Sequence, residues 1–181
     1  MRVISGSAKG RRLTPLEGDD VRPTTDRVKE AIFSIVQFHI EGRSFLDLFS
    51  GSGQMGIEAL SRGAAKAVFV DRSRRSVDII KKNISTAGVE AGAEVVNSDS
   101  LSYLKISREQ FDLAFLDPPY STGLLQEALP LTVKIMKKTG FIICESPINE
   151  ELPKKIDEFT LDRNYRYGKI KISIYCIKDG C

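Results

Sequence analysis

From residue 44 onward the chain alternates short apolar runs with amphipathic ones, and this constrains the fold more than any other feature. Stretches 44–49, 66–71, 94–99, 111–117 and 141–145 are apolar and short enough to be buried strands. Stretches 54–62, 73–87, 100–105, 124–137 and 150–159 read as helices. In 73–87, Val77, Ile80 and Ile84 fall on one face. Such alternation implies an α/β, Rossmann-like, doubly wound sheet, mostly parallel and with right-handed crossovers. The tail, 165–169 followed by 170–177, has Gly168 at its turn and reads as a hairpin. The expected sheet therefore has seven strands, one of them antiparallel.

The first 43 residues differ. Met1 to Leu13 is basic, contains Gly6 and Gly10, and suits a small hairpin. Thr24 or Thr25 can cap a following helix, with Asp26 in its first turn. Val28, Ala31, Ile32, Ile35 and Val36 lie on one face of that helix, which should pack on the sheet. The expected layout is a small N-terminal extension, 1–43, packed on a core, 44–181.

With 181 residues and 41% hydrophobic content, the chain can bury one proper core. No apolar stretch approaches the ~20 residues of a membrane span. The start, Met1-Arg2-Val3-Ile4-Ser5-Gly6, has no signal-peptide core. Cys144, Cys176 and Cys181 have no metal-pair spacing, so a reduced, cytoplasmic protein without metal is expected. Net charge is only +3, but Arg2, Lys9, Arg11 and Arg12 stand in the first twelve residues without an acid. Such a patch suits phosphate contacts, although a solvated surface explains charge alone equally well. His39, the only histidine, has no catalytic partner in the sequence and reads as structural.

Two motifs carry chemistry. Asp117-Pro118-Pro119-Tyr120 follows the apolar run Phe111–Leu116. The prolines fix φ and donate no hydrogen bond. Tyr120 offers a ring for stacking a planar base, typically ~1–3 kcal/mol. Asp117 and a main-chain carbonyl can accept both hydrogens of one exocyclic amine. Alone, the tetrad is as readily a turn. The second motif, Gly51-Ser52-Gly53-Gln54-Met55-Gly56, is G-x-G-x-x-G between strand and helix. It would first suggest a dinucleotide, but Asp47, in the strand itself, would repel a pyrophosphate and pair with a cationic amine. Asp71, ending the second strand, suits ribose hydroxyls. Asp99, ending the third, suits an adenine amino group. A ligand with an amine, a ribose and an adenine but no phosphate fits S-adenosylmethionine. In a doubly wound sheet strands one and four adjoin at the switch point, so the two motifs should face one crevice.

The motifs Phe45-Leu46-Asp47-Leu48-Phe49-Ser50-Gly51-Ser52-Gly53, Asp71, Asp99 and Asp117–Tyr120 resemble those of Rossmann-fold amino-methyltransferases. Three N-terminal pieces, Arg2–Gly6, Lys9–Leu13 and Arg22–Glu30, are more specific and resemble the RsmD family. The resemblance spans essentially the whole chain. It implies an S-adenosylmethionine-dependent methyltransferase acting on the exocyclic N2 of one guanine, position 966, in bacterial small-subunit (16S) ribosomal RNA. It implies that Asp47, Phe49, Ser50, Gly51 and Gly53 line the methionine end of the cofactor. Asp71 and Arg72 would hold the ribose, Asp99 and Ser100 the adenine, and Asp117 would border the cofactor as well. Asp117, Pro118, Pro119 and Tyr120 would hold the target amine. Arg22 and Thr24 would lie near the entering base, and Arg2, Lys9, Arg11 and Arg12 on RNA phosphates. The expected partner is 16S rRNA, within a small subunit or assembly intermediate, and the expected protein is a cytoplasmic monomer.

Four other readings stay open here. A DNA or RNA adenine-N6 (or DNA cytosine-N4) methyltransferase uses the same tetrad, although 181 residues leave little room for a DNA recognition region. A protein glutamine methyltransferase typically carries Asn where Asp117 stands. An NAD-dependent oxidoreductase would use the glycine motif, but Asp47 opposes it. The last is a non-catalytic RNA-binding module.

Overall fold

A computed structural model describes residues 1–16 and 24–177. One eight-stranded sheet has the order β3-β2-β1-β4-β5-β8-β7-β6. Its strands are β1 Ser44–Leu48, β2 Lys66–Asp71, β3 Ala93–Asn97, β4 Phe111–Leu116, β5 Met136–Pro147, β6 Lys155–Ile156, β7 Phe159–Tyr167 and β8 Ile170–Cys176. The helices are α1 Asp26–Ile35, α2 Gln54–Ser61, α3 Arg74–Ala87, α4 Ser100–Ile106 and α5 Leu124–Val133. Strands β1 to β5 run parallel, and β8 enters antiparallel between β5 and β7. The eighth strand, beyond the seven expected, is the two-residue β6 at the edge.

Central β1 and β4 are buried on both faces, which is why their sequences read as continuous apolar runs. Alternate residues feed two cores. Phe45, Phe69, Leu113 and Phe115 pack with α1, α2, α3 and the N-terminal segment. Leu46, Val68, Ala114 and Leu116 pack with α4 and α5. Asp112 pins the starts of β1 and β4. It accepts from the Ser44 N–H at 2.9 Å, Arg43 Nη1 at 3.0 Å and Lys137 Nζ at 2.8 Å. Burial pushes its carboxyl up, but these donors outweigh it and hold the value at about 2.

Three further expectations fail. No helix forms at 150–159; that stretch holds a turn, β6 and the start of β7. Leu152, Ile156 and Phe159 mimic a helical stripe, but Pro153 would sit inside such a helix without an N–H to donate. Helix α5 stops at Val133 rather than near 137, three residues after its internal Pro130. Cys144 is a free, buried thiol, but Cys176 is in a disulfide where reduced thiols were expected. His39 packs its ring on Phe141, with centroids 4.6 Å apart. Among the described residues no helix is long and apolar enough to cross a membrane.

The N-terminal segment is a small hairpin closed by an antiparallel Arg2–Arg12 bridge. It is stapled to α2 by buried polar groups. Glu58 accepts from the Ile4 and Ser5 N–H groups at 2.8 and 3.0 Å, and Ser61 Oγ accepts from the Ala8 N–H at 2.9 Å. Lys29, fully buried on α1, donates to the Arg2 carbonyl at 2.6 Å and lies 3.5 Å from Glu58. Gly6 lets the backbones meet. Its φ is +84°, and a Cβ there would stand 1.7 Å from the Ser61 carbonyl oxygen. Gly6→Ala is therefore expected to cost about 3 kcal/mol and to lower Tm by roughly 6–12 °C in thermal denaturation. A Tm within about 2 °C of wild type would contradict that close approach.

Candidate active site

The C-terminal ends of β1 and β4 are adjacent, paired in register from Phe45 with Leu113 to Leu48 with Leu116. Both open into one cavity of about 670 Å³. From the β1 side it is lined by Asp47, Phe49, Ser50, Gly51 and Ser52, and from the start of α2 by Gln54 and Met55. Asp71 and Arg72 follow β2, and Asp99 and Ser100 follow β3. Asp117, Pro118, Pro119 and Tyr120 follow β4, while Thr24 and Leu16 approach from the N-terminal segment. Thus the sequence-predicted residues Asp47, Phe49, Ser50, Gly51, Asp71, Arg72, Asp99, Ser100, Thr24 and Asp117 to Tyr120 share one space. Gly53 shapes the loop without lining the cavity, and Arg22 lies outside the described residues.

The loop after β1 is held open by strained and tied backbone. Phe49 has φ +66°, uncommon for an aromatic residue, and Gly51 and Gly53 have φ +55° and +76°. The Ser50 hydroxyl donates to the Asp47 carbonyl at 2.5 Å. The third motif glycine, Gly56, lets α2 sit on β2, since a Cβ there would stand 2.3 Å from the Phe69 ring. Asp71 ties two turns together: its carboxylate accepts from the Gly51 N–H at 2.9 Å and from the Ser73 N–H at 2.8 Å.

Among the described residues the cavity wall holds four carboxyl groups, Asp47, Asp71, Asp99 and Asp117, and one cation, Arg72. Asp47 is 2% exposed and accepts from the Gly56 N–H at 2.9 Å. Burial raises its carboxyl to about 7, against the Gly56 hydrogen bond and with some help from Asp71. Asp117 is also pushed well up, by burial first, then by Glu145 and Asp47. Asp99 behaves oppositely. It caps α4, accepting from the Ser102 N–H at 2.9 Å and hydroxyl at 3.0 Å, and these bonds lower its carboxyl. A site that raises two buried carboxyls is suited to a cationic ligand, which would lower both again.

Two contributors are absent from the sequence reading. Gln54, at the start of α2, is 6% exposed; its Nε2 donates to the Thr24 carbonyl at 3.2 Å, and its Oε1 is buried without a hydrogen-bond partner. Glu145, 4% exposed on β5, accepts from the Tyr120 hydroxyl at 3.0 Å and the Thr24 hydroxyl at 3.3 Å. Glu145 interrupts the apolar run of β5, but its two hydroxyl partners come from distant segments that the sequence does not bring together.

Arg2, Lys9, Arg11 and Arg12 do not enter the cavity. All four are exposed on the hairpin, with Arg2 Nε 3.2 Å from Asp26. The hairpin reaches the cavity wall, since the Ser52 hydroxyl donates to Met1 Sδ at 3.4 Å. Asn83 reinforces this, donating to both the Thr14 and Ser52 carbonyls at 2.9 Å.

A family model described as "Conserved hypothetical protein 95" matches residues 1–176. Ribosomal RNA small subunit methyltransferase D of Haemophilus influenzae is 41% identical over 180 residues, covering 97% of this chain and 93% of its own. The protein of the same name from Escherichia coli K12 is 35% identical over 182 residues, covering 97% and 89%. The solved structure of yhhF from Escherichia coli superposes with a TM-score of 0.86 at 34% identity, over 97% of this chain and 96% of that one. The likeness thus runs from the N-terminal hairpin through the cavity to the last strand, and the chain belongs to the RsmD family, that of the ribosomal RNA small subunit methyltransferase D proteins.

Proposed function

We propose that this protein uses S-adenosylmethionine to methylate the exocyclic N2 of one guanine, the family's position 966, in small-subunit (16S) ribosomal RNA. The observation that carries the proposal is the single cavity into which the glycine loop after β1 and the tetrad after β4 both open. Its donor set fits the cofactor. Asp47 offers a buried carboxyl suited to an ammonium group, which would favour its ionised form. Asp71 and Arg72 suit the ribose, and Asp99 and Ser100 the adenine. A pyrophosphate would meet a wall lined by acidic side chains and would disfavour the ionised form of the buried Asp47 and Asp117 further, which speaks against a dinucleotide.

When bound, S-adenosylmethionine supplies an electrophilic methyl group on a sulfonium. The chain's own residues handle the acceptor. A guanine amino group is a poor nucleophile because its lone pair is delocalised into the ring. Asp117 and the Pro118 carbonyl accept its two N–H hydrogens and hold the nitrogen in one orientation. Asp117, ionised beside the cationic cofactor, would take the proton that the nitrogen must shed as the methyl group is transferred. The base must leave its stack, at a cost of a few kcal/mol, and stacking on Tyr120 offsets ~1–3 kcal/mol of that.

The names of the relatives support ribosomal RNA as the substrate. The protein would act in the cytoplasm, as a monomer, on a small subunit or an assembly intermediate. Arg2, Lys9, Arg11 and Arg12 would touch backbone phosphates. Neutralising all four is expected to weaken RNA binding and reduce the slope of log K against log salt by about 3, at roughly 0.7 per single-strand phosphate contact. An unchanged slope would refute their role. The acceptor is tested with methyl-labelled S-adenosylmethionine and either small- or large-subunit particles lacking their modifications. Label is expected in small-subunit RNA; none there, with cofactor binding confirmed, would overturn the reading.

A further inference from the structure

Glu145 has no role in the chemistry described so far, yet it is a buried carboxylate beside the tetrad. It does not line the large cavity but lies behind its wall. One oxygen accepts the Tyr120 hydroxyl and the other the Thr24 hydroxyl. Tyr120 and Thr24 belong to segments far apart in sequence, and both line the cavity. The Thr24 carbonyl accepts from Gln54 Nε2, at the start of α2. A belt of side chains thus runs from the tetrad, through β5, to the segment before α1 and on to α2.

The tetrad loop has modest support of its own. Ser121, just after Tyr120, has φ +62°, a sparsely populated conformation for a residue other than glycine. Within the loop the Thr122 hydroxyl donates to the Pro119 carbonyl at 2.7 Å. Glu145 also stands close enough to Asp117 to raise its carboxyl.

We propose that Glu145 is a positioning residue, fixing the Tyr120 ring and the Thr24 segment at a set separation and so defining the slot that admits a planar base. The proposal rests on the reading that the cavity takes a base extruded from RNA. Glu145 acts through Tyr120 and Thr24, not on the reacting atoms.

The test compares Glu145→Ala, Glu145→Gln, Tyr120→Phe and the Glu145→Ala/Tyr120→Phe double variant. Each is measured for methyl transfer to small-subunit RNA, for S-adenosylmethionine affinity, and for amide hydrogen exchange at Tyr120 to Gly123. Glu145→Ala is expected to lower kcat/KM for RNA by about 10–100-fold, the range for a hydrogen bond to a charged group. It should speed exchange at Tyr120 to Gly123 and leave cofactor affinity within about threefold. Glu145→Gln keeps an oxygen for the Tyr120 hydroxyl and should recover most of the loss. In the Tyr120→Phe background, Glu145→Ala should cost under about fivefold, because the two groups act together. Unchanged exchange, full additivity in the double variant, or a Gln variant as defective as Ala would each overturn the proposal. If the alanine variant does not fold, the Gln variant and Tyr120→Phe carry the test, with Tyr120→Phe expected to speed the same exchange. If the wild type binds cofactor yet leaves RNA unlabelled, the functional reading fails, and hydrogen exchange still decides whether Glu145 fixes the loop.

Discussion

Asp117→Ala is expected to lower methyl transfer by about 10³-fold while leaving S-adenosylmethionine affinity within a few-fold. The size follows from removing a preorganised acceptor that also takes the departing proton, effects each worth roughly 10²–10⁴. The selectivity follows from the proposed division of labour: residues after β1, β2 and β3 hold the cofactor's groups, and Asp117, after β4, holds the acceptor amine. Stability should not suffer. Asp117 is raised by burial and by two acidic neighbours, so its charged form is disfavoured in the folded protein. Removing it should leave Tm at pH 8 equal to or above that of wild type. Retained turnover in a folded Asp117→Ala protein would remove the tetrad from the chemistry.

Asp47→Asn is expected to stabilise the ligand-free protein at pH 8 while weakening S-adenosylmethionine binding about 10–100-fold. Asp47 lies at about 7 in the folded protein, against a usual 3.8. Between those values the folded state holds a proton that the unfolded chain has released, so stability falls as pH rises across that window. At 1.36 kcal/mol per unit, the cost above pH 7 reaches about 4 kcal/mol. Asparagine keeps an oxygen for the Gly56 N–H and carries no charge. A gain of about 5 °C or more in Tm at pH 8, and little at pH 4, is the expected thermal profile. The loss in affinity reflects a missing charge-assisted hydrogen bond to the ligand's ammonium group. Cofactor affinity of the wild type should also rise between pH 6 and pH 8, because binding favours the ionised carboxylate. A variant that is less stable at pH 8 and binds the cofactor normally would contradict this role for Asp47.

Much of the site was legible because the chemistry sits at strand ends. Asp47, Asp71, Asp99 and Asp117 interrupt or end apolar runs, where a carboxylate stands out against its neighbours. Strand pairing then follows from the doubly wound pattern, so Asp47 and Asp117 could be placed across one crevice before any coordinates. Gln54 and Glu145 escaped because their meaning depends on tertiary neighbours. Nothing local says that Gln54 will spend its amide hydrogen on the Thr24 carbonyl, or that Glu145 will receive two hydroxyls from distant segments. The false helix at 150–159 shows the converse. Leu152, Ile156 and Phe159 carry a helical period, yet the sheet edge and Pro153 decide the backbone. Asp99 lines the cavity and also caps α4, a duty that its strand-end position did not reveal.

The decisive measurement identifies the atom that receives the methyl group. Small-subunit particles lacking the modification are incubated with the protein and methyl-labelled S-adenosylmethionine, and the RNA is digested to nucleosides and resolved by mass spectrometry. Label in N2-methylguanosine is the expected result. Label in N6-methyladenosine or any other nucleoside would contradict the assignment of guanine N2 and require a different base in the slot beside Tyr120.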